Sequence, residues 1–96
     1  MSRLEEKLKK LGYRKDYEFY QRENITLLCY EKCKYKYSYI QIAFYKETNK
    51  IHYHKIVLYD KEISHYAQID EITKAFNEMQ KDLAILKEIE KDELEL

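Results

Sequence analysis

Residues Tyr37–Lys46 read YSYIQIAFYK, and the alternation inside this stretch decides the fold. Ile40, Ile42 and Phe44 share one parity and are purely apolar, whereas Tyr37, Tyr39, Gln41, Ala43 and Tyr45 on the other parity are amphipathic. Side chains of a strand alternate between its two faces, so this is a half-buried strand with its even positions toward a core. Aromatic and β-branched residues with the same texture extend from Tyr13 to Tyr59, predicting strands at about 17–21, 25–31, 37–46 and 51–59. The connectors Arg22-Glu23-Asn24 and Glu47-Thr48-Asn49-Lys50 are short and polar, which implies antiparallel hairpins. A three-residue loop at 48–50 would set Ile56 and Leu58 beside Ile42 and Ile40; a two-residue loop would set Lys55 and Val57 there. The first register is preferred because it keeps Lys55 off the core. The second strand is apolar on both parities, Ile25, Leu27 and Cys29 against Leu28 and Tyr30, so one sheet face is expected to meet another surface.

Outside the strand region the period changes to that of a helix. Leu4, Leu8 and Leu11 fall on one stripe, Ser2 and Glu5 have capping-box spacing, and Gly12, the one glycine, stands where a left-handed C-terminal residue is wanted. At the other end Ile69, Ile72, Phe76, Met79, Leu83 and Leu86 are spaced 3, 4, 3, 4 and 3. With Asp70 as N-cap, this predicts a helix of about twenty residues lying across the sheet. The same spacing is that of a coiled-coil seam, the second reading of the stripe. The tail LKEIEKDELEL keeps helical propensity but loses the stripe, and residues 91–96 are expected to fray. The expected fold is α+β, in the order α-β-β-β-β-α, with a four-stranded antiparallel sheet and a long C-terminal helix packed on one face. All 96 residues make one small domain.

Charge narrows the function classes. Eighteen basic and eighteen acidic side chains cancel, so no global field steers the chain toward nucleic acid or membrane. The balance is uneven, with ten Lys/Arg against six Asp/Glu in residues 1–37 and the reverse excess beyond. No apolar run approaches a membrane span, and MSRLEEKLKK is a charged helix pattern without a signal-peptide core, so a soluble cytoplasmic protein is expected. In that compartment the sequon Asn24-Ile25-Thr26 and the internal KDEL at 91–94 carry no meaning, and the two cysteines are free thiols.

Eleven tyrosines are the most unusual feature. A Tyr/Lys face can stack bases and hold phosphates, as single-strand binders do. It is also an ordinary open sheet surface, because tyrosine half-buries its ring and keeps its hydroxyl wet. The same amphipathicity enriches tyrosine at protein interfaces. The candidate partner-binding residues are Lys34, Tyr35, Lys36, Tyr37, Tyr39, Tyr45 and Tyr53, and a protein partner is favoured over nucleic acid on the zero net charge and three arginines. The nucleic-acid alternative would use the stretch 32–39. Cys29, Cys33, His52 and His54 supply zinc-ligand types, but C-x3-C and H-x-H spacing suits a core thiol, a loop thiol and two surface imidazoles better. Cys-His pairing for nucleophilic catalysis is uninformative at this composition, and no glycine-rich loop is present to cradle phosphate. No enzymatic activity, no metal and no cofactor are expected, and the chain is expected to be a monomer or a homodimer.

LEEKLKKLGYRKD (4–16), IQIAFYKETNKIHYHKI (40–56) and IDEITKAFNEMQKDL (69–83), taken in order, resemble in texture the small uncharacterised α+β proteins encoded by phages and mobile elements of low-GC Gram-positive bacteria. Fifteen lysines against three arginines agree with such a source. The resemblance matches no signature residue and carries over no site residue. It implies a class of action: a non-enzymatic protein-binding module that modulates or inhibits a host protein, with anti-CRISPR-like inhibitors of host defence the familiar case, working in the host cytoplasm. The neutral charge departs from the strongly acidic DNA mimics among such inhibitors, so shape and tyrosine contacts are the expected means.

Overall fold

The computed structural model describes residues 3–59 and 62–94, with side chains as far as residue 90. The order is α1 (Arg3–Lys10), β1 (Arg14–Arg22), β2 (Ile25–Lys32), β3 (Ser38–Tyr45), β4 (Ile51–Leu58) and α2 (His65–Leu94). The four strands form one antiparallel meander in the order β1-β2-β3-β4. This is the α+β architecture expected from the alternation in β3 and the change of period on either side. Ser2, the expected cap of the first helix, and the last two residues of the expected frayed end lie outside the described residues, while α2 is helical as far as Leu94.

Backbone chemistry fixes the ends of the elements. After α1 the Gly12 amide donates to the Lys9 carbonyl (3.1 Å) and the Tyr13 amide to the Leu8 carbonyl (2.9 Å), with Gly12 at φ 98°. That is a Schellman closure, and it hands the chain to β1 with Leu8 and Tyr13 both buried. Asn24 and Asn49 take the left-handed conformation at φ 62° and 56° in the two hairpin turns, which asparagine tolerates better than other side-chain-bearing residues.

The even positions of β3 point inward as expected. Ile40, Ile42 and Phe44 join Leu4, Leu8, Leu28 and Tyr30 beneath Ala75, Met79 and Leu86 of α2, and this larger of two clusters lies between one sheet face and both helices. Tyr30 stacks on Phe44 at 5.9 Å between ring centres, and its hydroxyl donates to Glu5 Oε2 (2.8 Å), which ties β2 to α1.

Two expectations need correction. The β3–β4 register pairs Ile40 with Ile56 and Ile42 with His54, displaced by two residues from the preferred pairing. The hairpin loop is the cause: residues 46–50 form a five-residue turn in which the Tyr45 amide donates to the Lys50 carbonyl (3.0 Å), and an irregularity follows between Ala43 and Phe44. Parity is preserved, so Lys55 still faces away from the core. The second correction concerns α2, which begins at His65 rather than Asp70 and is capped by Ser64, whose Oγ accepts from the Ala67 amide (3.2 Å). The helix also presents a different face to the sheet. Ala75, Asp82 and Leu86 are buried, whereas Ile69, Ile72 and Phe76 of the apolar stripe are exposed. The stripe reaches the core only at Met79, Leu83 and Leu86.

Candidate functional site

The rotation of α2 is explained by what its polar residues find on the sheet. Lys32 at the end of β2 donates to Asp82 Oδ2 (2.9 Å) and Glu78 Oε1 (3.0 Å), and the Tyr13 hydroxyl donates to the same Asp82 oxygen (2.9 Å). Asp82 is 2 % exposed, so its charge is held by these two donors rather than by water. Lys32 also lies over the Tyr13 ring, 5.2 Å from its centre. Burial first, then the hydrogen bond and charge of Asp82, push the Tyr13 phenol far above its ordinary range.

The Lys/Tyr stretch between β2 and β3 continues this latch. Lys34 pairs with Glu78 Oε2 (2.9 Å), and the Tyr35 hydroxyl lies 3.3 Å from the same oxygen and from the Lys74 carbonyl. The Ser38 hydroxyl (3.1 Å) and the Tyr37 amide (3.4 Å) both donate to Glu71 Oε2. Lys34 and Lys32 together hold the Glu78 carboxyl down at about 2. An unfolded glutamate titrates at its ordinary 4.5, so Glu78 contributes stability that is fully present above pH 4.5 and is lost as pH falls toward about 2. Urea midpoints measured between those limits are expected to fall more for the wild type than for Glu78→Gln, which starts less stable at neutral pH, so that the two curves converge in acid. Parallel curves would remove Glu78 from the latch.

The candidate partner-binding residues therefore divide. Lys34 and Tyr35 face α2 and have partners there. Lys36 is exposed, over the Tyr37 ring at 5.1 Å. Tyr37 is half-buried, with its carbonyl accepting from the Tyr59 amide (3.1 Å). Tyr39, Tyr45 and Tyr53 lie on the opposite sheet face, where Tyr45 and Tyr53 share one cluster and Tyr39 stands apart beyond the row of Glu31, Gln41 and Lys55. There the pairings set Tyr17, Cys29, Ala43 and Tyr53 in one row across all four strands, with Phe19, Leu27 and Tyr45 in the next. Leu27, Cys29 and Ala43 form a buried floor packed against Tyr45 and Tyr53, and this second cluster contains sheet residues alone. The Tyr53 hydroxyl lies 3.3 Å from Cys29 Sγ and donates to Gln41 Oε1 (3.3 Å). Burial, followed by hydrogen bonds to Cys29 and Tyr17, raises the Tyr53 phenol well above its usual range. Tyr39 stacks on Tyr59 at 6.1 Å, and the Tyr45 hydroxyl bonds His52 Nδ1 (3.1 Å).

Tyr17, Phe19 and Tyr59 were missed as candidates, although the period-two pattern of Tyr17 and Phe19 against Glu18 and Tyr20 carried the signal. They are 43, 54 and 56 % exposed, so this face presents aromatic surface to solvent. The Cys/His set does not converge. The irregularity in β4 puts His52 against Tyr45, while His54 pairs beside the inward residue Ile42; Cys29 is buried and Cys33 exposed. Among the described residues no three of His, Cys, Asp and Glu are grouped to hold a metal ion, and no helix is long and apolar enough to cross a membrane.

The fold and the uncovered face define the class only as a small α+β meander with both helices on one side. The chain matches no protein-family model, no curated protein and no solved structure.

Proposed function

We propose that the chain is a non-enzymatic protein-binding module whose contact surface is the helix-free sheet face centred on Tyr39, Tyr45 and Tyr53. One observation carries this reading: Tyr17, Phe19, Tyr45 and Tyr53 lie in the two rows built on a floor of Leu27, Cys29 and Ala43 to which no helix residue among those described contributes, and Tyr39 stacks on Tyr59 farther along the same face. Rigid rings of this kind supply large contact area at small entropic cost, and tyrosine is among the residues that dominate binding energy at interfaces. Lys32 and Lys34, which a nucleic-acid contact through residues 32–39 would need, are paired with Glu78 and Asp82. The resemblance to phage proteins of low-GC Gram-positive bacteria makes a host protein, including a defence protein, the first partner to test.

Affinity capture from a lysate of such a host, with and without nuclease, tests the proposal. The Tyr39→Ser/Tyr45→Ser/Tyr53→Ser variant is expected to lose the captured protein by at least about tenfold while keeping its far-ultraviolet circular dichroism. Undiminished capture by the folded variant, or capture abolished by nuclease, would refute the sheet face as a protein contact.

A further inference from the structure

The first half of α2 carries an apolar stripe that the described residues leave exposed. Tyr66, Ile69, Ile72 and Phe76 are 87, 66, 42 and 44 % exposed, whereas the outer face of a packed helix ordinarily presents polar side chains. Their spacing runs on into Met79, Leu83 and Leu86, the pattern of a helix-pairing seam, yet those three are buried against the sheet. The seam therefore leaves the core over residues 66–76, on a helix that is regular throughout.

We infer that a second copy of this chain covers the stripe, with the two α2 helices crossing antiparallel about a two-fold axis between Ile72 and Thr73. Area supports a stable pair. At the exposures above, the four side chains offer on the order of 500 Å² per copy, so the pair removes on the order of 1,000 Å² from water, the lower bound for a specific interface. Self-complementarity supports a second copy over an unrelated partner, because the antiparallel crossing sets Ile69 of one copy against Phe76 of the other and Ile72 near its own symmetry mate, an isologous contact that closes. Charge selects the orientation. Asp70 and Lys74 pair within one copy at 2.9 Å, and both side chains are more than half exposed. The antiparallel crossing brings Asp70 level with Lys74 of the second copy, whereas a parallel crossing sets like charge against like. The inference rests on the helix alone and is independent of the sheet-face reading.

Sedimentation equilibrium from about 1 µM to about 1 mM brackets the affinity expected of so small an interface. The wild-type mass should rise from 11.9 kDa toward twice that value. Ile69→Glu/Phe76→Glu, at exposed positions, should raise the dissociation constant about 100-fold and leave the circular dichroism unchanged. Lys74→Asp should weaken the dimer about tenfold, and Asp70→Lys/Lys74→Asp should restore it. On a Cys33→Ser background, Thr73→Cys should form an intermolecular disulfide on oxidation, since only a residue beside the two-fold axis meets itself. A monomer across the whole range overturns the proposal and assigns the stripe to a different protein. A dimer that survives the double glutamate substitution, or that fails to cross-link at position 73, overturns it as well.

Discussion

Lys32→Ala is expected to destabilise the fold by about 3–5 kcal/mol, a large share of the total stability of a domain this size. The substitution removes one of the two donors that hold Asp82, and that carboxylate has no route to water. Glu78 suffers less, because Lys34 and the Tyr35 hydroxyl remain beside it. The cost thus comes from a stranded buried charge rather than from the pair's net worth, and a second variant separates the two. Lys32→Met, Asp82→Leu and Tyr13→Phe together leave no orphaned polar group at this point, and the triple variant is expected to lie within about 1 kcal/mol of the wild type or above it. Urea denaturation followed by circular dichroism reads both. A loss below about 1 kcal/mol for Lys32→Ala would mean that Asp82 is hydrated.

That latch also marks the boundary of what sequence could deliver. The strand parity of Ile40, Ile42 and Phe44 was legible because a period of two allows only two faces, and the αL stop at Gly12 because no other residue in α1's last turn accepts φ 98° cheaply. The β3–β4 register was not legible, since it depends on a five-residue turn closed by Asn49 and on one irregularity, neither of which leaves a hydrophobic trace. For α2 the periodicity gave a stripe without saying which neighbour it meets. Fifty residues separate Lys32 from Asp82, and from sequence alone a lysine ending a strand and an aspartate inside a helix both look solvated. Once they pair, they turn Glu71, Ala75, Glu78 and Asp82 toward the sheet and its β2–β3 connection, and the stripe rotates outward. Of the proposed contact surface, Tyr39 and Tyr45 came from the alternation in β3, and Tyr53 from the hairpin. Tyr17 and Tyr59 needed the pairing of the outer strands to be placed beside them.

Tyr30→Ala is expected to cost about 3–5 kcal/mol, and Cys29→Ala no more than about 1. Both side chains are fully buried and adjacent in β2, but they point to opposite faces, a choice that the doubly apolar strand leaves undecided in sequence. Tyr30 occupies the centre of the helix-covered core, stacked on Phe44 and bonded to Glu5. Removing its ring opens a cavity that α1 and α2 cannot close without breaking their own contacts. Tyr30→Phe keeps the ring and loses only the hydroxyl bond, for about 1 kcal/mol. Cys29 instead lies under Tyr53 on the sheet's other face, where the covering rings can settle onto a smaller floor. Equal losses for the two alanine variants, measured by urea denaturation, would make the tyrosine face a second core and withdraw it as a binding surface. The expected asymmetry means the reverse: the fold draws its stability from the face with the helices, so the aromatic rows on the other face can be substituted, and can be engaged by a partner, without unfolding the sheet that carries them.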